Sequence, residues 1–254
     1  MQHTLGLVLS GGGVRGAAHA GVLKVLEERG VKVDYISGTS AGAVAGALWA
    51  AGHSADEVLE FFRATKIFQA SNVSLRKPGL LDSEDYLPWL QEYLGDATFS
   101  SLDRQLFVTV TDLLRGRWRV IDSGPVVQAV QASAAVPLIF TPVEIGDGLY
   151  ADGGLLNNFP VEPLLGRCDR LFGVNVNPLR EVTKEDLDGV VDVLLRIYDL
   201  GIRYEAASKT CRCDWLVEPD EVLQFNIFAM NRADEAFEIG YKAAQPVVEA
   251  MLAS

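Results

Sequence analysis

Two apolar patterns alternate along the first fifty residues. Thr4-Leu-Gly-Leu-Val-Leu9 is a short, almost continuous apolar run, the pattern of a strand buried on both faces. It leads into Ser10-Gly11-Gly12-Gly13-Val14-Arg15-Gly16, and then Val22, Leu23, Val25 and Leu26 recur at helical spacing between Ala17 and Glu28. Gly30 is placed to end that helix as its left-handed cap residue. A second apolar run, Val33 to Ile36, predicts the next strand. It stops at Gly38-Thr39-Ser40-Ala41-Gly42, and small residues of helical spacing follow from Ala41 to Trp49. Strand, glycine loop, helix, strand is a βαβ unit, which implies parallel pairing and a right-handed crossover.

Downstream the alternation continues. Ser54-Ala-Asp-Glu57 is a capping box that opens a helix through about Ala64. Lys66 to Leu81 has little periodicity and a Lys77-Pro78-Gly79 turn, so it reads as a loop or lid-like excursion. Ser83 to Leu94 has the pattern of a short amphipathic helix interrupted by Pro88. Leu106 to Thr111 and Trp118 to Ile121 are β-branched strand segments joined at Arg115-Gly116-Arg117, the composition of a hairpin. Gly124-Pro125 opens another helix, with proline at its first position, and Val136-Pro137 closes it. Ile145 to Asn158 is turn-rich, and Leu171 to Val176 is a buried strand. Thr183-Lys-Glu-Asp186 starts a long helix through about Ala207, Cys213 to Val217 is a late strand, and Asp234 to Leu252 is a C-terminal helix containing Pro246. No repeat, linker or low-complexity tract breaks the pattern, so residues 1–254 read as a single α/β domain.

Composition narrows the partners. Of 254 residues 49% are hydrophobic and 22% charged, which excludes disorder and allows a sizeable core. Asp and Glu total 34 against 22 Lys and Arg, a formal net charge of −12. An acidic chain without a basic cluster does not suit nucleic acid or electrostatic docking on anionic lipid. Any membrane contact is therefore expected to be transient and driven by apolar surface. Cys168, Cys211 and Cys213 form no disulfide framework and have no nearby histidines to complete a zinc site, so they read as structural thiols in a reducing compartment. No metal is expected. Leu5 to Leu9 is too short for the apolar region of a signal peptide. The uncharged stretches Tyr35 to Ala55 and Ser123 to Val143 are broken by glycines or prolines and suit a buried α/β core better than a membrane span. A soluble, cytoplasmic protein is the expectation.

The candidate chemistry centres on Ser40. A nucleophilic serine has to stand on a tight, strained turn, and Gly38 and Gly42 remove the side chains that would collide there. The helix that follows points its positive end at charge developing near Ser40. A Gly-x-Ser-x-Gly alone can be an ordinary turn; the strand before it and the small-residue helix after it supply the context. The Gly11-Gly12-Gly13 amides can converge on an anion at a helix start. That loop lacks the dinucleotide-binding spacing with its acidic partner, and the phosphate-loop Lys-Ser/Thr pair, so an oxyanion hole reads better than a nucleotide site. His3, His19 and His53 all lie outside the late loop where a hydrolase triad keeps its histidine. A carboxylate is the other candidate base. Asp152, flanked by Gly153-Gly154, is the best placed, although Asp-Gly-Gly by itself is simply a turn.

Gly11-Gly12-Gly13-Val14-Arg15-Gly16, Gly38-Thr39-Ser40-Ala41-Gly42, Ala132-Ser133-Ala134-Ala135-Val136-Pro137 and Asp152-Gly153-Gly154, in this order, closely resemble the patatin-like phospholipases. The resemblance covers Leu5 to about Pro178, and the compact length and short glycine loop look like the small bacterial members. One departure is Ser10, where plant members usually carry aspartate. The resemblance implies a three-layer α/β sandwich with a mostly parallel central sheet. It also implies a Ser40–Asp152 dyad, an oxyanion hole from Gly11, Gly12 and Gly13 with Arg15 nearby, a lipid or acyl-ester substrate and no cofactor. A patatin fold used as a non-catalytic lipid-binding or regulatory partner is the alternative. Lys66 to Tyr93 is either a cover that selects the acyl chain or a plain packing loop. The C-terminal third carries no transferable motif.

Overall fold

The computed structural model describes residues 3–64, 87–137, 139–179, 181–224 and 230–254. Most of the proposed cover, Lys66 to Tyr86, therefore lies outside the described residues.

Among the described residues eight short strands form one sheet: β1 Leu5–Leu9, β2 Tyr35–Thr39, β3 Gln105–Asp112, β4 Arg117–Ile121, β5 Val143–Ile145, β6 Gly148–Asp152, β7 Arg170–Val174 and β8 Trp215–Val217. Their order is β5-β6-β3-β2-β1-β7-β8, with β4 also paired to β3. The five strands from β3 to β8 run parallel, and the sheet turns antiparallel at β4 and β6. The sheet is thus mixed, with the expected parallel arrangement across its centre. The hairpin at Arg115-Gly116-Arg117 forms as expected, joining β3 to β4.

Among the described residues seven α-helices flank it: α1 Ala17–Glu28, α2 Ala41–Ala50, α3 Ala55–Ala64, α4 Leu87–Leu94, α5 Val126–Ser133, α6 Val190–Thr210 and α7 Ala233–Leu252. Alternation of side chains along the strands sorts them into layers. Leu7 and Leu9 of β1 join a core with the buried faces of α1, α2, α3, α5 and α7. Val8 and Phe107 point the other way, into a smaller core with Phe159, Leu164 and Ala206 of α6. The result is the three-layer sandwich. The contact between α1 and α7 is close enough to need glycine on both sides. A Cβ at Gly21 would lie 2.1 Å from Phe237 O, and one at Gly240 would lie 2.1 Å from Ala18 O.

Several boundaries differ from expectation. A 3-10 turn, Gly13–Gly16, precedes α1, and β2 begins at Tyr35 rather than Val33. The described part of α4 begins at Leu87, so the expected start at Ser83 lies outside the described residues. Pro125 is the cap residue before α5 rather than its first member. The Thr183–Asp186 box forms, with the Asp186 carboxylate accepting from Thr183 N at 2.8 Å and Oγ1 at 2.9 Å. Only a 3-10 turn follows it, Glu185–Leu187 with Lys184 as its cap residue, and Gly189 comes next, which favours helix least of any residue but proline. The long helix α6 starts after it. Among the described residues no helix is long and apolar enough to cross a membrane.

Candidate active site

Ser40 is the single residue between β2 and α2. Its backbone stands at φ 52° and ψ −121°, and it is the one non-glycine residue of positive φ among the described residues. Such a conformation costs about 1–3 kcal/mol and persists only where its surroundings hold it. Three contacts do so. Ser40 N donates to Ser133 Oγ at 2.9 Å, Ser133 Oγ donates to Thr109 O at 2.6 Å, and Thr39 Oγ1 donates to Asn157 O at 2.9 Å. The turn is also too tight for side chains beside it: a Cβ at Gly42 would meet Leu9 O at 2.3 Å.

Asp152 is the last residue of β6, fixed at every polar atom. Its N–H donates to Ala135 O at 2.9 Å, and its carbonyl accepts from Thr111 Oγ1 at 2.9 Å. Of the carboxylate oxygens, Oδ1 accepts from Gly154 N at 2.7 Å and Oδ2 from Ser40 Oγ at 2.6 Å. The side chain is buried, and burial pushes its pKa up to about 6; the bonds from Ser40 and Gly154 pull the other way but less strongly. A hydroxyl is thus held on a carboxylate whose proton affinity lies close to neutrality, an arrangement able to move a proton between the two.

The glycine loop leaves β1 beside this pair. Gly11 N donates to Asn158 O at 3.1 Å, so one of the three expected amides is already engaged. The Gly12 and Gly13 amides have no partner among the described residues. Arg15 is buried, with Nη1 on Asn177 Oδ1 at 2.6 Å. The histidines are engaged elsewhere. His53 Nε2 lies 2.8 Å from Tyr93 O, and His3 stands beside Asp169. His19 is fully buried with Nε2 2.8 Å from Ser10 O, and since a carbonyl can only accept, Nε2 carries the proton. Burial lowers the pKa of His19 to about 4, which keeps it neutral.

Sequence reasoning quoted Ser133 and Ala135 within a motif but assigned them no task. They are struts: one holds the Ser40 amide, the other the Asp152 amide. Asn157 and Asn158 were missed as well, although two asparagines after Asp-Gly-Gly are a visible signal. Their carbonyls accept from Thr39 and Gly11, so this short segment ties the serine turn and the glycine loop to the Asp152 turn. Among the described residues no group of three or more His, Cys, Asp or Glu side chains could hold a metal ion.

An uncharacterized NTE family protein of Mycobacterium tuberculosis is 31% identical over 97% of this chain, which spans 47% of that relative. The chain thus spans about half the length of such curated relatives. The lysophospholipase NTE1 of Mycosarcoma maydis is 26% identical over 97% of the chain, which spans 15% of it. The crystal structure of VipD from Legionella pneumophila shares the fold, with a TM-score of 0.60, 17% identity, and coverage of 98% of this chain and 67% of that one. The patatin-like phospholipase family model matches residues 7–165, and the chain belongs to that family.

Proposed function

We propose that the chain is a serine acyl hydrolase that cleaves carboxylic esters of phospholipids, lysophospholipids or related lipids through a Ser40–Asp152 dyad. The observation that carries this reading is the 2.6 Å bond from Ser40 Oγ to a buried carboxylate, at a strained turn beside a glycine loop. Asp152 takes the Ser40 proton as Oγ attacks the ester carbonyl. The Gly12 and Gly13 amides receive the negative oxygen, with the positive end of α2 behind them. Collapse of the tetrahedral intermediate releases the alcohol, protonated by Asp152. A water then enters, gives its proton to Asp152 and attacks the acyl-serine; the fatty acid leaves and Ser40 recovers its proton. The lysophospholipase name of the fungal relative supports a lipid ester as substrate.

An acidic surface does not favour anionic lipid, so contact with a lipid surface is expected through apolar side chains. Val190, Val193, Ile197 and Tyr204 supply a candidate face, exposed along one side of α6.

The test is the intact mass after incubation with a fluorophosphonate, for wild type and Ser40→Ala, beside ester release from lysophosphatidylcholine micelles. One adduct and turnover in wild type, with neither in the variant, is the expected result. A folded wild type that takes no adduct and releases no fatty acid would sink the reading.

A further inference from the structure

Asn158 is 3% exposed, and its backbone carbonyl is engaged. Its carbonyl accepts from Gly11 N at 3.1 Å. The carboxamide itself is pressed between the glycine loop and the dyad. A Cβ built at Gly11 would lie 2.3 Å from Asn158 Oδ1 and 3.2 Å from Ser40 Cβ. One built at Gly154 would lie 2.8 Å from the same Oδ1 and 2.9 Å from Asp152 Oδ1. The carboxamide oxygen therefore lies against Gly11 and Gly154, which neighbour Ser40 and Asp152, and is walled in by residues without side chains of their own.

Yet Asn158 Nδ2 is buried and has no hydrogen-bond partner among the described residues. Burying an unpaired amide donor is costly, and natural folds rarely leave one. Apolar residues of similar volume would fill this space without that cost. As placed, the acceptor Oδ1 is the end that meets the glycines; a donor turned to that side would have an evident partner in the reaction, an oxygen that arrives with the substrate. Turning the carboxamide by half a rotation exchanges its two ends and puts the donor on the Gly11–Gly154 side.

We propose that Asn158 is a further catalytic residue, whose side-chain N–H binds the ester oxygen as it becomes negative, alongside the Gly12 and Gly13 amides. This rests on the acyl-hydrolase reading above. It also gives a reason for the two functions of one residue. The main chain of Asn158 holds the glycine loop in place, and its side chain completes what the loop begins, because Gly11 N is engaged by the same residue and is not open to substrate.

The experiment compares Asn158→Leu, Asn158→Ala and Asn158→Asp with wild type by kcat, KM, rate of fluorophosphonate labelling and urea midpoint. Leu and Ala should lower kcat about 10²-fold, the usual effect of losing one oxyanion donor, with KM little changed. The urea midpoint of Asn158→Leu should equal or exceed that of wild type, because an unpaired buried donor has gone. Asn158→Asp, which adds a carboxylate beside Asp152, should move the acid limb of kcat/KM to higher pH. Turnover and labelling of wild-type rate in Asn158→Ala would overturn the proposal. So would parallel losses of stability and activity that vanish when rates are scaled to the folded fraction, since that marks a packing residue. Absence of labelling in wild type would instead refute the acyl-hydrolase reading itself.

Discussion

Asp152→Asn should give a protein that is inactive and yet more stable above neutrality. In the fold, burial raises the pKa of Asp152 to about 6, whereas an unfolded chain leaves an aspartate near 4. The native state therefore binds this proton more tightly, and stability is lost as pH rises from about 4 to about 6 and remains lost above that. A hundredfold difference in proton affinity corresponds to about 3 kcal/mol. Asparagine keeps an acceptor for Gly154 N and a polar neighbour for Ser40 Oγ but never ionises. At pH 8 the variant should be more stable by up to about 3 kcal/mol, roughly 6–12 °C in Tm for a domain of this size. At pH 4 the two should unfold together. His19, with its pKa lowered to about 4, loses stability in the opposite direction as pH falls through the same window. The wild-type curve alone is thus nearly uninformative, and the difference between the two proteins isolates Asp152. Thermal scans from pH 4 to pH 8 would provide it, beside kcat/KM, which in wild type should rise with pH through about 6 as the base ionises. A difference in Tm that does not change with pH, or a variant less stable at pH 8, would refute the account of Asp152 as a buried, destabilising base.

The other expectations concern the supports. Ser133→Ala leaves the Ser40 amide and Thr109 carbonyl unpaired, so urea unfolding should show a loss of about 1–3 kcal/mol and labelling of Ser40 should slow at least about tenfold; values matching wild type in both would remove Ser133 as a strut. His19→Gln can still donate to the Ser10 carbonyl, so turnover should persist within about tenfold and the acid limb near pH 6 should stay where it is. A limb that disappears in this variant would make His19, and not Asp152, the titrating group.

Much of the fold was legible in local signals. The apolar runs at Leu5–Leu9 and Leu171–Val176, the capping box at Ser54, and the helical cap at Gly30 with φ +62° each depend on neighbours within a few residues, and each formed, although the second strand stops at Val174. Helix starts were less legible at Thr183, where a satisfied box was followed by Gly189. Beyond the β3–β4 hairpin, the antiparallel pairing of β6 with β3 and β5 could not be read either, because β3 pairs with β2, β4 and β6 at once. At the site, residue types and order pointed to Ser40, Asp152 and the glycine loop. What the sequence could not reveal was who is already occupied. Gly11 N is taken by a carbonyl 147 positions away (158 − 11), and the Ser40 amide by a hydroxyl 93 away. Such bonds have no local signature, since they depend on the three layers having closed.

The family match ends at residue 165, but the sheet does not. The next strand in the chain, β7, lies between β1 and β8, and α7 comes so near α1 that neither Gly21 nor Gly240 has room for a methyl group. A gene cut or fused at that apparent boundary would leave β1 as an open sheet edge, a surface prone to pairing with other chains. It would also uncover the helix that rises from the glycine loop. The inheritable unit is therefore longer than its signature. Recombination has to carry the motif-poor last third through α7, because that stretch splints the loop from behind.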